Sequence, residues 1–351
     1  MSRKERKTEH LQLALEQRDN KNVFKDVQIL GNSISEIDLD EICYKTRVAN
    51  IQLETPFIFN AITGGNKSSY WINQNLALVA RELGFSMAVG SQKAALEDSS
   101  VSYTFEVVRE VNPEGIIFAN LGAYASPDDA KEAVKMIDAD AIQIHLNFAQ
   151  ELVMAEGDKK FKGYLKNISD IVDSLSVPVI VKEVGQGIAG REAKKLIDLG
   201  VSAIDIGGYG GTNFIEIENS RRKEDYFYDL EGWGIPTPKS LLEVLAVNPK
   251  DTIASGGIAS SLDAFKAMVL GAKAIAIAGY PLRILMKNGR EALIKELSSW
   301  LLQLKYYYLL AGVKETDELT KVSAVIEGEL NNFARERGIN TKCYTVRNDA
   351  L

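Results

Sequence analysis

Histidine and cysteine are nearly missing from this chain: its 351 residues hold two of each. Cys43 and Cys343 match no metal-binding or redox spacing and cannot build a disulfide framework, so a reducing cytoplasm is the expected setting. Basic residues are outnumbered. A net charge of −7 and a pI near 5.2 argue against general nucleic-acid or anionic-membrane binding, so an anionic substrate must meet a local basic cluster. No apolar run approaches the ~18 residues of a membrane span. The opening residues, with a short apolar patch over 11–15 broken by Gln12, do not read as a signal peptide. Low-complexity segments are also lacking, as are repeats beyond the strand–helix alternation described next.

What is present is ordinary globular composition, 46% hydrophobic and 25% charged. The length is about twice the rough 150-residue domain prior, which admits two domains or one large α/β barrel. Apolar and β-branched segments recur at 56–62, 85–90, 115–120, 140–146, 178–184, 201–206, 252–255 and 273–278. Most are near-continuous apolar runs, the pattern of parallel strands buried on both faces. Helical patterns fall between them at 73–83, 126–136, 191–199 and 261–270. Ser126-Pro127-Asp128-Asp129 is a capped start with acids in the first turn, and Gly200 and Gly271 follow two of the helices. This alternation predicts a closed (β/α)8 TIM barrel. A doubly wound sheet is the alternative, but polar residues end nearly every strand, and only a barrel gathers all those ends around one mouth. One domain over 1–351 is expected. Residues 1–55 read as an N-terminal extension without a clear core, 207–250 as a long insertion covering the mouth after strand six, and 288–310 as an amphipathic closing helix.

The strand ends carry the chemistry. Strands one to three end in Asn60-Ala61-Ile62-Thr63-Gly64-Gly65, Gly90-Ser91-Gln92-Lys93 and Asn120-Leu121-Gly122-Ala123. Strand four gives His145, Asn147, Gln150 and Glu151, strand five Lys182-Glu183, and strand six a glycine-rich run through Thr212. Ser255-Gly256-Gly257-Ile258 and Ala278-Gly279 end strands seven and eight, where barrels commonly hold a phosphate. Glycines there expose backbone N–H groups as an anion nest, though a lone Gly-Gly is also an ordinary tight turn. Lys182 ends an apolar strand where an unpaired ammonium is costly. It reads either as a salt bridge to Glu183 or another acid, or as a cation facing a flavin that gathers negative charge near N1 on reduction. Thr63, Ser91, Asn120 and Thr212 then offer hydrogen bonds to the rest of the flavin. Glu151 is either a hard-cation ligand or a helix-start acid stabilised by the dipole. Arg6, Lys7, Lys93, Arg221 and Arg222 could serve a diphosphate if they converge, which spacing alone does not establish.

Together these residues resemble the flavin-dependent, type 2 isopentenyl-diphosphate isomerases. The likeness runs in order through Arg6-Lys7-Thr8-Glu9-His10, Ile62-Thr63-Gly64-Gly65, Gly90-Ser91-Gln92-Lys93, Gln143-Ile144-His145-Leu146-Asn147, Gln150-Glu151, Val181-Lys182-Glu183-Val184-Gly185, Gly210-Gly211-Thr212-Asn213-Phe214, Ile217-Glu218-Asn219 and Ala254-Ser255-Gly256-Gly257-Ile258. It implies interconversion of isopentenyl and dimethylallyl diphosphate with FMN, Mg2+ and a reductant such as NADPH, in a homo-oligomer of four or more subunits. By the same resemblance, Ala61, Ile62, Thr63, Ser91, Asn120, Lys182, Thr212, Gly256, Gly257, Ile258, Ala278 and Gly279 match FMN-binding positions. Arg6, Lys7, Ser91, Gln92, Lys93 and Gln150 match substrate positions, and Glu151 matches the Mg2+ ligand. His10, His145 and Asn147 are expected to line the diphosphate or the metal-bound water, and Gln150, His145 and Asn147 are the expected catalytic groups. Lys93, Gly207 and Asn66 depart from the family pattern, Lys93 by losing a bidentate fork to phosphate. The nearest competing reading is an FMN-dependent 2-hydroxy-acid oxidase, which the stretch 304–313, Lys182 and Ser255-Gly256-Gly257 also resemble. Such oxidases need a histidine base after strand six, and no histidine follows position 145.

Overall fold

The computed structural model describes residues 3–17, 22–222 and 224–347, and side chains from residue 9 onward. Eight parallel strands close on themselves: β1 (Phe57–Phe59), β2 (Ser86–Ala88), β3 (Ile117–Gly122), β4 (Ala141–Leu146), β5 (Val179–Glu183), β6 (Ala203–Asp205), β7 (Thr252–Ser255) and β8 (Ala274–Ile277). They are hydrogen-bonded in chain order, and β8 returns to β1 through Ile275 opposite Phe57. Each expected strand segment coincides with one of them, β3 running two residues beyond its expected end at 120. The helices that follow them in turn are α1 (Lys67–Leu83), α2 (Tyr103–Val111), α3 (Pro127–Met136), α4 (Tyr164–Ser174), α5 (Gly190–Asp198), α6 (Thr237–Leu245), α7 (Ser261–Leu270) and α8 (Arg290–Ala311). Among the described residues, no helix is long and apolar enough to cross a membrane.

Because successive strand residues point to opposite faces, each strand feeds two cores. Phe57, Phe59, Ile142, Ile144 and Val181 face outward into the layer beneath the helices. Ile58, Ala88, Phe118, Ala141, Ile180, Ala203, Ile253 and Ala274 face inward and fill the barrel. Both faces are therefore buried, which is why the strands read as unbroken apolar runs rather than alternating ones.

Two expectations need revision and one needs completing. The extension over 1–55, expected to lack a core of its own, packs into the barrel's cores. Its strand Val27–Ile29 pairs antiparallel with Ala324–Ile326, and Phe24 is fully buried. Its hairpin, Thr46–Val48 with Ile51–Leu53, inserts Val48, Ala49 and Leu53 into the barrel's interior cluster as a plug. The hairpin turns at Ala49-Asn50, both at positive φ, and the Ala49 N–H is held by Asp251 Oδ2 at 2.8 Å. The excursion over 207–250 is not all cover, since it contains α6, whose prolines at the first turn hide a helix start. Finally, α1 begins at Lys67, six residues before the expected 73, because the Asn66 side chain caps it by accepting from the Ser69 N–H.

Leu53 is fully buried at the closed end of the barrel, far from the strand C-termini. Leu53→Ala is expected to cost about 2–5 kcal/mol, read as a lowered denaturant midpoint, with the absorbance of bound flavin unchanged. A shifted flavin spectrum would show that the plug also shapes the mouth.

Candidate active site

One pleat step above the apolar filling, the inward positions turn polar. Asn60, Asn120, Gln143, Lys182, Asp205 and Ser255 follow Ile58, Phe118, Ala141, Ile180, Ala203 and Ile253 by two residues each, and all six are buried. All but Lys182 bond to one another through their side chains. Asn60 Nδ2 donates to Asp205 Oδ2 at 2.7 Å, and Gln143 Nε2 to Asn60 Oδ1 at 3.1 Å. Asn120 Nδ2 donates to Gln143 Oε1 at 3.2 Å, and His145 Nδ1 lies 2.8 Å from Asn120 Oδ1. The Ser255 hydroxyl donates to Asp205 Oδ1. This belt floors a cavity of ≈ 250 Å³ at the strand C-termini.

Of the residues expected to bind flavin, Ala61, Ile62, Thr63, Ser91, Asn120, Lys182, Thr212, Gly256, Gly257, Ile258, Ala278 and Gly279 all line this cavity. Lys182 does not pair with the carboxylate of Glu183. That carboxylate turns back onto the N–H groups of Gly185, Gln186 and Gly187, while Lys182 Nζ donates to the Glu183 carbonyl at 2.8 Å and lines the cavity. Burial pushes the Glu183 carboxyl up to about 7, against the lowering effect of the Gln186 and Gly185 N–H groups and the Lys182 charge. Thr63 shares a hydrogen bond with Ser69 at 2.7 Å, so its hydroxyl also has a role inside the protein.

The far wall is made of backbone. Gly256 and Gly257 hold φ of +104° and +71°, and a Cβ on either would meet the carbonyl oxygen of Gly208 at 2.0 Å or of Gly210 at 2.3 Å. Only glycine fits this close strand-to-strand approach. Beside it starts an additional helix, Gly279–Asn288, ahead of α8. A glycine cradle after β7 with a helix N-terminus after β8 suits a phosphate monoester, and Lys182 suits an electron-rich ring. The residues present therefore fit FMN. Gly207, the family departure on β6, has φ +48°, and a Cβ there would meet the Glu183 carbonyl oxygen at 2.2 Å, so a side chain requires the strand to shift.

The open side holds the substrate candidates. Gln150 sits on the short helix Phe148–Val153 and donates through Nε2 to Glu218 Oε1 at 2.9 Å. Glu218, on the helix Phe214–Arg221, also lies 2.9 Å from His10 Nε2 and pairs with Arg221. Its side chain is fully buried. Burial raises its pKa, but the bonds from His10 and Gln150 and the charge of Arg221 outweigh this and hold it below the ordinary carboxylate range. Sequence reading left Glu218 out of the site. Its signal was an acid directly after apolar Ile217, three residues before Arg221.

Not every expected residue reaches the cavity. Gln92 is fully buried behind β3, where Oε1 accepts from the Asn120 N–H and Nε2 donates to the Ala133 carbonyl. Lys93 lies 4.0 Å from Asp129 and over the Tyr124 ring. Asn147 donates to Glu151 Oε1 at 2.9 Å, and Glu151 Oε2 accepts the Asp158 N–H. Arg221 pairs with Glu9, Glu156 and Glu218, and Arg222 donates to the Val153 carbonyl, so these arginines do not form an open basic cluster. The side chains of Arg6 and Lys7 lie outside the described residues, on the N-terminal helix Arg3–Glu16. His10 and His145 line the cavity.

Comparison with known proteins agrees with this geometry. The family model described as FMN-dependent dehydrogenase matches residues 124–325. An isopentenyl-diphosphate delta-isomerase of Geobacillus sp. (strain WCH70) is 46% identical over 99% of this chain and 100% of its own length. Those of Bacillus pumilus and Streptomyces sp. (strain CL190) are 44% and 38% identical, over 99% and 100% of this chain and 98% and 97% of theirs. Among solved structures, a mandelate oxidase with a monooxide FMN adduct superposes with a TM-score of 0.66 at 16% identity, covering 91% of this chain and 93% of that one. A lactate oxidase of Pediococcus acidilactici gives 0.66 at 17% identity, with 93% and 88% covered. At such identities the likeness is one of fold.

Gly256→Ala places a methyl against the Gly208 carbonyl, so FMN affinity is expected to fall by roughly tenfold or more with the far-ultraviolet spectrum retained. Fluorescence titration with FMN reads this directly, and an unchanged dissociation constant would remove the cradle from the phosphate site. Glu183 supplies a pH test. Its folded pKa of about 7 lies above the ordinary 4.5, so the folded state binds the extra proton between these values. Its contribution to stability is full below pH 4.5 and is lost as pH rises to about 7. Across that window the wild type should lose stability relative to Glu183→Gln, and parallel denaturation profiles would contradict the assignment.

Proposed function

From the premise that this chain belongs to the isopentenyl-diphosphate delta-isomerase family, we propose that it interconverts isopentenyl and dimethylallyl diphosphate with bound FMN. The observation that carries this reading is the joining, in one enclosed mouth, of a glycine cradle suited to FMN phosphate with the Gln150–Glu218–His10 cluster. Moving the double bond adds a proton to the terminal carbon C4 and removes one from C2, on the other side of C3, with no net oxidation. When bound, the reduced flavin supplies an electron-rich ring beside the reacting carbons.

The chain's own residues divide the remaining work. Gly256, Gly257 and Gly279 hold the flavin phosphate, and Lys182 faces the ring. Leu11, Ala14, Ile62, Phe214 and Ile258 line the cavity and keep water from the allylic carbons, where a developing carbocation would otherwise be trapped. His10, Leu11 and Ala14 belong to the N-terminal helix, so residues 1–55 contribute to the substrate site within a single domain. Gln150, His145 and Asn147 are the polar side chains we assign to the diphosphate and to proton handling.

Magnesium enters this reading through Glu151. Among the described residues no group of three or more His, Cys, Asp or Glu could hold a metal. A single carboxylate plus substrate phosphate oxygens is a common Mg2+ arrangement, and Glu151 suits it, already oriented by Asn147 and the Asp158 N–H. NADPH serves as reductant for the flavin. The two cysteines, both free thiols, fit a cytoplasmic enzyme, and a homo-oligomer remains part of the proposal. The oxidase reading lacks its histidine after β6, and its fold-level relatives do not supply one.

Proton NMR of isopentenyl diphosphate incubated anaerobically with the FMN-loaded protein and Mg2+, with and without a flavin reductant, tests the reaction. Conversion only with reductant is expected. No conversion with flavin bound and reduced would overturn the isomerase reading. In the same assay Glu151→Gln is expected to keep FMN and lose Mg2+-dependent turnover, and unchanged Mg2+ dependence would remove Glu151 as the ligand.

A further inference from the structure

The hydrogen bonds beneath the cavity have a direction that can be derived link by link. A backbone N–H can only donate, and the Ala61 N–H points at Asn60 Oδ1 at 2.9 Å. That fixes which end of the Asn60 amide is oxygen, and its Nδ2 must then face Asp205, whose carboxylate accepts it at 2.7 Å. Gln143, 3.1 Å from the same Asn60 oxygen, must present its Nε2 there. Its Oε1 is thereby turned to Asn120, which must donate through Nδ2. Asn120 is left with only its oxygen for the 2.8 Å contact to His145 Nδ1. An amide oxygen does not donate, so the proton of this contact belongs to the imidazole.

We infer that the buried relay Asp205–Asn60–Gln143–Asn120 fixes His145 as its Nδ1–H tautomer, making Nε2 the nitrogen that accepts a hydrogen bond or a proton at the mouth. Asn60, Gln143 and Asp205 are positioning residues for His145. A second bond supports the chain's other end: the Asn120 N–H donates to Gln92 Oε1 at 3.0 Å, tying β3 to the segment that follows β2. Tautomers of a solvated imidazole differ little in energy, whereas reversing this one would require every amide in the chain to flip and would set Asn60 Nδ2 against the Ala61 N–H. Each buried donor left without an acceptor bears its desolvation cost uncompensated. The role of His145 in turnover rests on the isomerase reading, but its tautomer does not.

With two histidines in the sequence, 15N-histidine labelling of the FMN-loaded enzyme gives two imidazole spin systems, and His10→Gln assigns them by elimination. The wild type is expected to show His145 with a pyrrole-type Nδ1 and a pyridine-type Nε2. A proton found on Nε2 instead would overturn the inference outright, whether or not any variant folds. Gln143→Met, which keeps the volume and removes both bonds, should retain FMN, lose the single Nδ1–H state and lower kcat by roughly 10- to 100-fold with KM little changed. Adding Asn120→Asp should return the proton to Nδ1, because a carboxylate accepts in either orientation. An unchanged His145 tautomer in Gln143→Met would show that the relay does not hold it. Should the wild type convert no isopentenyl diphosphate, the isomerase reading fails, while the nitrogen spectra still decide the relay.

Discussion

A closed barrel leaves its inward side chains no water and no free edge, so every polar group placed there must be matched from within. That constraint organises this molecule. Inward positions alternate with outward ones, and two residues further along six of the eight strands the filling changes from Ile, Phe and Ala to Asn, Gln, Lys, Asp and Ser. Asn60, Asn120, Gln143, Asp205 and Ser255, from β1, β3, β4, β6 and β7, satisfy one another across the barrel, while Lys182 of β5 donates to the carbonyl of Glu183 beside it. The resulting belt is both the roof of the apolar core and the floor of the site. A register slip of one residue on any strand would send its polar group into the outer apolar layer, so belt and closure reinforce each other.

The mouth obeys a different balance, in which charge is buried only where several partners meet it. Taking a carboxylate out of water costs several kcal/mol, and Glu218 offsets this with His10, Gln150 and Arg221 together. Arg221 in turn draws in Glu9 and Glu156. Two of these partners, Glu9 and His10, ride on the N-terminal helix, and Gln17 adds a bond to the Asn213 carbonyl at 3.0 Å. Polar contacts to the segment after β6 and the packing of Leu11 and Leu15 against the core thus hold the helix over the cavity, which Leu11 and Ala14 line. An overall acidic protein can admit a diphosphate here only by spending its few local cations carefully, and most of those described are already paired.

How much of this could be read beforehand follows from the range of the interactions. Strand and helix identity depends on nearby residues, and the eight apolar runs, the capped start at Ser126 and the glycine stops were all legible. So was the line-up of flavin-contacting positions, because strand ends in a barrel converge whatever their sequence separation. The hairpin plug was not, since Val48, Ala49 and Leu53 find their core only in strands far along the chain. Gln92 misled for a related reason: one residue beyond Ser91 the backbone turns into a helix, and its side chain swings behind β3 instead of over the cavity. Glu218 looked like one more surface acid until its three partners, from residues 10, 150 and 221, were brought together.

The barrel and its glycine cradle explain why FMN suits this chain, but they do not explain its reaction. Oxidases at 16–17% identity share the same closed sheet, so the fold by itself leaves the chemistry open. What differs is the supply of side chains over the flavin face. An oxidase needs a base positioned after β6 to take a proton as electrons leave, whereas this chain offers glycines and Thr212 there and puts its imidazole on β4. On β4 that ring stands next to Lys182 in register and at the end of the amide belt, where the placement of its Nδ1 proton follows from the barrel floor. A redox-neutral shift of a double bond asks for such a site: a dry cavity, an electron-rich ring, and polar groups whose donors and acceptors are already assigned before substrate arrives.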